Sequence, residues 1–172
     1  MAHDVFLSYS SKDKRFADAV CATLEAHDIP CWIAPRDILP GMDYGGAIID
    51  GIEQSRVMVL VFSSSANVSP QIKREVERAA NKDLPIVLLR IEDQQPGHNL
   101  EFFLSAQHWF DAITPPFEQH LNHILEVVSL LLEGANQSPY TPPDPPIVRF
   151  WQHAAAIGLA VLALCVIAEG YG

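Results

Sequence analysis

The feature that most constrains this chain is the run Arg56-Val-Met-Val-Leu-Val-Phe62, six apolar residues in a row behind one arginine. A strand with one wet face alternates apolar and polar side chains. A run without alternation is the mark of a strand covered on both faces, which is the situation of a central strand in a parallel sheet. Such a strand needs a layer of helices above it and another below, so the rest of the chain must supply them.

The flanking sequence does so in regular β-α alternation. Asp4 to Tyr9 is a short apolar strand, and the helix predicted from Asp13 to His27 repeats Phe16, Val20 and Leu24 on one face. Pro30 to Ile33 forms a second strand, followed by the Pro- and Gly-punctuated loop Ala34 to Gly41 and a helix over 44–53. After the central run, Ser69 and Pro70 combine an N-cap serine with a proline at the first helical position, opening a helix that reaches about Asn81. Leu84 to Ile91 is a fourth strand, Leu100 to Leu104 a short helical turn, and His108 to Phe110 a weak fifth strand. An amphipathic helix from Phe117 to Leu132 closes the domain. Five strands in this alternation predict an α/β, flavodoxin-like parallel sheet flanked by helices, over residues 1–133.

Beyond it the character changes. Residues 134–149 hold five prolines between Gly134 and Pro146, and read as an extended linker. Residues 150–172 contain fifteen consecutive apolar or small residues, Ala154 to Ala168, bordered by Phe150, Trp151 and Tyr171. A spanning helix needs about 20 predominantly apolar residues, a length approached once the interfacial aromatics are counted. The expectation is a C-terminal apolar helix that anchors the chain in a membrane as a single pass. Arg149 and the other basic residues precede it, which places the N-terminal domain in the cytoplasm. The N-terminus reads directly into a strand with no signal peptide.

Composition closes several doors. The net charge is −10 and there is no basic run, so nucleic acid is not an expected partner. The three cysteines are widely spaced and suggest neither a disulfide framework nor a metal site. His120 and His123 lie three apart on a helix without an acidic or cysteine cluster, so no metal is expected there.

In open parallel sheets ligands bind beyond the carboxyl ends of the strands, where strand order reverses. Here that means the loops Ser8 to Asp13 and Ser63 to Ser69. No GxGxxG follows a strand, no GxxxxGK[ST] and no GxSxG occur, and Ser63-Ser-Ser65 stands where a phosphoacceptor aspartate would be needed.

Four stretches in order carry a resemblance: Phe6 to Asp13, Trp32 to Gly41, Val59 to Ser69 running into Glu75-Val-Glu-Arg-Ala79, and Phe103 to Asp111. Together they resemble the TIR (Toll/interleukin-1 receptor) domain family, bacterial branch, over residues 4–132. The resemblance implies one of two activities. Many TIR domains hydrolyse or cyclise NAD⁺ with a single glutamate on the helix after the third strand, with no further cofactor, once assembled with their own kind. Others are scaffolds that signal only by homotypic TIR–TIR contact. It also suggests a role in bacterial defence signalling.

The family match selects Glu75 as that glutamate. At about 100° per residue, Glu75 falls roughly 70° from the centre of an apolar stripe formed by Val68, Ile72, Val76, Ala79 and Ala80. Glu77 falls nearly opposite. The residues alone also allow an ordinary boundary glutamate paired with Arg74 or Arg78. A lone carboxylate suits the chemistry, because it stabilises oxocarbenium character on ribose while nicotinamide departs as a neutral pyridine and needs no acid. That differs from glycosides, whose departing oxygen must be protonated.

For the rest of the site alternatives stay open. Ser8, Tyr9, Ser10 and Ser11 either bind ribose or phosphate or cap the next helix. Arg36 either faces a phosphate or pairs with Asp37 or Asp43 on the loop surface, and Gly41 supplies a turn. Trp32 either borders a base or belongs to the core. Gln71 departs from the family pattern, since several active relatives carry a tryptophan four residues before the glutamate.

Overall fold

A computed structural model describes residues 3–105 and 108–136 of the chain. Its strands are β1 (Val5–Ser8), β2 (Cys31–Ile33), β3 (Val57–Phe62), β4 (Ile86–Arg90) and β5 (His108–Asp111). They form one parallel sheet in the order β2-β1-β3-β4-β5, the flavodoxin-like order, whose reversal lies between β1 and β3. The helices are α1 (Lys14–Glu25), α2 (Tyr44–Gln54), α3 (Ser64–Asn67), α4 (Pro70–Asn81), α5 (His98–Leu104) and α6 (Glu118–Asn136).

The unalternating run becomes β3, with every residue buried. Its two faces feed separate cores. Val57, Val59 and Val61 pack with Val20 and Leu24 of α1 and Ile124 and Val128 of α6. Met58, Leu60 and Phe62 pack with Ile52 of α2, Ile72 and Val76 of α4, and Leu100 and Leu104 of α5. Both faces are dry because each has its own helical layer.

Three local expectations differ from what is found. The one-turn helix α3 lies inside a segment read as loop, and is held by Ser63 Oγ accepting from the Ala66 amide at 3.1 Å. A four-residue helix is too short to show a period. Val68, expected on the buried stripe of α4, is 79% exposed because it caps α3 and precedes α4. Helix α6 continues past Leu132 through Gly134 to Asn136, since the helix-breaking prolines begin only at Pro139. The rest of the linker, residues 137–149, and the apolar segment 150–172 lie outside the described residues. Among the described residues no helix is long and apolar enough to cross a membrane.

Candidate active site

The site is built where β1 ends and α4 begins. Ser69 caps α4, its Oγ accepting from the Ile72 amide at 3.4 Å, and Pro70 opens the first turn. This start sets Glu75 in the second turn, beside Ser8 at the end of β1. Ser8 Oγ donates to Glu75 Oε2 at 2.7 Å, and Gln71 Nε2 donates to Glu75 Oε1 at 2.9 Å. Both carboxylate oxygens therefore have a donor.

Glu75 is only 6% exposed, deeper than a position on the margin of the stripe. Helical arithmetic places a residue relative to its own helix, and here the Glu75 side of α4 faces the end of β1, where Ser8 bonds it. Burial pushes the Glu75 carboxyl above the ordinary carboxylate range, while Ser8, Gln71 and the nearby Arg74 charge pull the other way. Among the described residues Glu75 forms no ion pair with Arg74 or Arg78: Arg78 bonds Glu53 at 2.6 Å, and Arg74 acts on Glu75 through its charge alone.

Two clefts meet at this carboxylate. One, of about 360 Å³, opens over the ends of β1 and β2 and is bordered by Tyr9, Ser10, Ser11, Trp32, Gln71 and Glu75. The other, of about 330 Å³, runs between α2 and α4 past Ile48, Ile52, Arg74 and Arg78. Tyr44, Gln71 and Glu75 line both. A buried acid at the junction of two clefts can act on a bond whose two substituents lie one on each side of it.

Of the residues singled out in the sequence, Ser8, Tyr9, Ser10, Ser11, Gln71 and Glu75 are brought together. Ser10 also accepts from the Lys12 amide at 3.5 Å, so it caps the following turn as well as bordering the cleft. Tyr9 donates its hydroxyl to the Ala34 carbonyl, tying the first loop to the second. Arg36, Asp37 and Gly41 do not line either cleft. Arg36 turns toward α1 and is held by Glu25 at 2.8 Å, Asp37 at 2.9 Å and the Cys31 carbonyl at 2.6 Å. Asp37 accepts from the Ile33 amide at 2.8 Å and shapes the loop. Gly41 has φ +88°, so its role is the turn. Trp32 is both core and cleft wall, 4% exposed and stacked on Phe6 at 4.8 Å.

Two elements of the site were not foreseen. Tyr44 stands in the first turn of α2 behind its N-cap Asp43, whose carboxylate accepts from Gly46 N at 2.8 Å. In a βα unit the helix N-terminus lies at the carboxyl edge of the sheet, so the Asp43-Tyr44 pair carried the signal. Asp13, 6% exposed, accepts from Ser63 Oγ at 2.6 Å and joins the β1 and β3 loops across the point of reversal. His120 and His123 do not converge: His120 Nε2 lies 2.8 Å from the Thr114 carbonyl, and His123 packs edge-on against Phe110.

Residues 5–125 match the TIR domain family, and the chain belongs to it. The fold is shared with solved structures. The TIR domain of the Toll-related receptor TRR-2 from Hydra magnipapillata has a TM-score of 0.62 at 17% identity, covering 74% of this chain and 98% of that one. A metazoan TIR-STING receptor from C. gigas, solved with 2′,3′-cGAMP, has a TM-score of 0.59 at 24% identity, covering 75% of this chain and 40% of that one. The CMP N-glycosidase BcmB from Clostridium botulinum has a TM-score of 0.51 at 16% identity, covering 70% of this chain and 97% of that one. At these identities the likeness is one of fold. No curated protein matches the chain by sequence.

Proposed function

We propose that this TIR domain cleaves the nicotinamide–ribose bond of NAD⁺, giving ADP-ribose or a cyclic form, with Glu75 as the catalytic carboxylate and self-assembly as the activating step. The observation that supports it most is the Glu75 carboxylate, buried at the junction of two clefts at the carboxyl edge of the sheet. As the bond lengthens, positive charge builds on the ribose, and a carboxylate in a poorly hydrated site stabilises it far more strongly than one in water. Ser8 and Gln71 fix both oxygens in advance, so little reorganisation is needed when that charge appears. Nicotinamide leaves neutral, so no second acid is required, in contrast to glycoside cleavage. Ser10, Ser11 and Tyr9 border the cleft as hydroxyl partners for ribose or phosphate.

The deciding experiment is nicotinamide release from NAD⁺ by the full chain, concentrated to drive self-association, beside Glu75→Gln. Release that the substitution abolishes is expected. Release that survives it, or none at any concentration, removes the proposal.

A scaffold reading has one observation in its favour. Leu39 and Met42, flanking Gly41 in the loop after β2, are 65% and 47% exposed, an apolar surface suited to contact with a second copy. A scaffold tolerates Glu75→Gln in a signalling assay and fails when Arg36 or Pro40 is changed.

The membrane anchor is proposed on sequence alone, from the uniform apolarity of Ala154 to Ala168. It would hold the domain at a cytoplasmic surface and raise its effective concentration for assembly. If the full chain is extracted without detergent as readily as a chain ending at Asn136, this part fails.

A further inference from the structure

Beneath the loop that follows β2 lies a cluster that takes no part in the clefts around Glu75. Cys21 on α1 and Cys31 in β2 are 5% and 1% exposed. Their sulfurs and a Glu25 carboxylate oxygen all lie within 4.8 Å of one another. Arg36 covers the group from outside, with Nη1 3.4 Å from Cys21 Sγ and Nη2 donating to the Cys31 carbonyl at 2.6 Å. A groove of about 250 Å³, bordered by Lys14, Asp18, Cys21, Pro35 and Arg36, reaches Cys21 and not Cys31. The groove therefore gives small solutes a path to one cysteine of the pair and not to the other.

We propose that Cys21 and Cys31 are a redox-active pair, in which hydrogen peroxide oxidises Cys21 and Cys31 resolves the product to an intramolecular disulfide.

The thiolate is the reacting form of cysteine, and a neighbouring arginine favours it. The pairing with Cys31 and the adjacent Arg36 charge hold the Cys21 thiol below its ordinary value against burial and the Glu25 carboxylate, and the same pairing together with burial holds Cys31 above, its thiol donating to the Ile29 carbonyl at 3.5 Å. In the first step the Cys21 thiolate attacks one peroxide oxygen. An S–O bond forms, the O–O bond breaks, and the departing hydroxide takes up a proton as water, leaving Cys21 as the sulfenic acid. In the second step the Cys31 sulfur, giving up its proton, attacks the Cys21 sulfur. The S–S bond forms, the S–O bond breaks, and hydroxide leaves with that proton as water. In sum, two thiols and one peroxide give one disulfide and two waters. The sulfurs lose two electrons and the peroxide gains them.

Two sulfurs and a carboxylate are also three ligands for a zinc ion. Arg36, 2.8 Å from Glu25 and 3.4 Å from Cys21, puts a fixed positive charge where that cation would sit. The arrangement favours an anionic sulfur over a metal.

The test uses the full chain carrying Cys165→Ser, which leaves this pair as its only thiols. One equivalent of hydrogen peroxide should abolish both thiols in a denatured titration. The mass should fall by that of two hydrogens, and peptide mapping should join positions 21 and 31. With Cys31→Ser, dimedone should label position 21. With Arg36→Gln, loss of the Cys21 thiol should slow severalfold, because the adjacent positive charge that favours the thiolate is gone. Should Cys31→Ser fail to fold, peptide mapping of the Cys165→Ser chain carries the test by itself. Thiols that survive peroxide in the folded chain while the denatured chain oxidises overturn the proposal. So does an equivalent of zinc retained through purification that protects them.

Discussion

Ser8 Oγ and Glu75 Oε2 lie 2.7 Å apart although 67 positions separate them in the chain. The bond joins the last residue of β1 to the second turn of α4, and it gives a buried carboxylate a donor that the protonated acid would value less. Ser8→Ala removes that donor, so the pKa of Glu75, already raised by burial, rises further. In the proposed reaction Glu75 works ionised, and the acid limb of the kcat/KM profile for nicotinamide release reports its ionisation in the free enzyme. That limb should lie above the ordinary carboxylate range in the wild type and move to still higher pH in Ser8→Ala. The rate on its plateau should fall roughly ten- to a hundredfold, corresponding to about 1.5–3 kcal/mol for one hydrogen bond to a charged group. An unmoved limb would separate Ser8 from the chemistry of Glu75.

The same burial has a consequence for folding. A carboxyl whose pKa is higher in the folded state than in the unfolded chain favours folding when protonated. Its contribution is complete below the unfolded pKa, about 4.3 for glutamate, and is lost as pH rises through the folded value. At neutral pH the ionised Glu75 therefore works against stability. Glu75→Gln should raise the melting temperature at pH 7, and the gain should shrink as pH drops toward the ordinary glutamate range. Glutamine keeps the shape, and its amide can satisfy both Ser8 and Gln71. Thermal unfolding of the two proteins across this pH range checks it, and a Glu75→Gln variant less stable at pH 7 would count against the raised pKa.

How far the sequence reached follows from which forces are local. The run at β3 was legible because dryness on both faces leaves a pattern in six consecutive residues. The start of α4 was legible because capping is chemistry between near neighbours. The burial of Glu75 was not, since it depends on the end of β1, which no periodicity within α4 encodes. Arg36 reads as a phosphate ligand or a surface ion pair when only the loop is in view. Its ion pair with Asp37 was among the alternatives, but Glu25 and the Cys31 carbonyl, the partners that turn it toward α1, lie outside the loop. Cys21 and Cys31, ten positions apart, meet because α1 packs back on β2. Spacing counts made in sequence could not show that contact.

Gln71 is the position where a resemblance and a geometry pull in different directions. Its amide donates to Glu75 Oε1 at 2.9 Å, whereas a tryptophan there would offer a flat surface to a base and no such bond to the carboxylate. Stacking of a base on an aromatic ring is worth about 1–3 kcal/mol. Gln71→Trp should therefore lower KM for NAD⁺ by about tenfold, while Gln71→Ala gives no such gain. Initial rates across NAD⁺ concentrations distinguish the two, and a KM that rises in the tryptophan variant would mean that this cleft does not hold the base.

Trp32 owes its place to a missing side chain on the facing helix. A Cβ built on Gly51 of α2 would lie 2.7 Å from both Trp32 Cδ2 and Cε2, a distance no real contact tolerates. The ring has no room to retreat, because its other side is stacked on Phe6 at 4.8 Å with 11° between the planes. Gly51→Ala must therefore push α2 off the sheet or tilt the indole into the cleft that it borders. Overpacking of this kind costs about 1–3 kcal/mol, and the expected result is a melting temperature lower by several degrees with weaker NAD⁺ binding. Gly41→Ala is the informative comparison. That residue sits at φ +88° with nothing within 4 Å of the added Cβ, so its cost is backbone strain alone, without a change in the cleft. Equal losses of NAD⁺ affinity in the two variants would show that Trp32 does not shape the site. A loss confined to Gly51→Ala would tie the packing of α2 on β2 directly to the wall of the cleft.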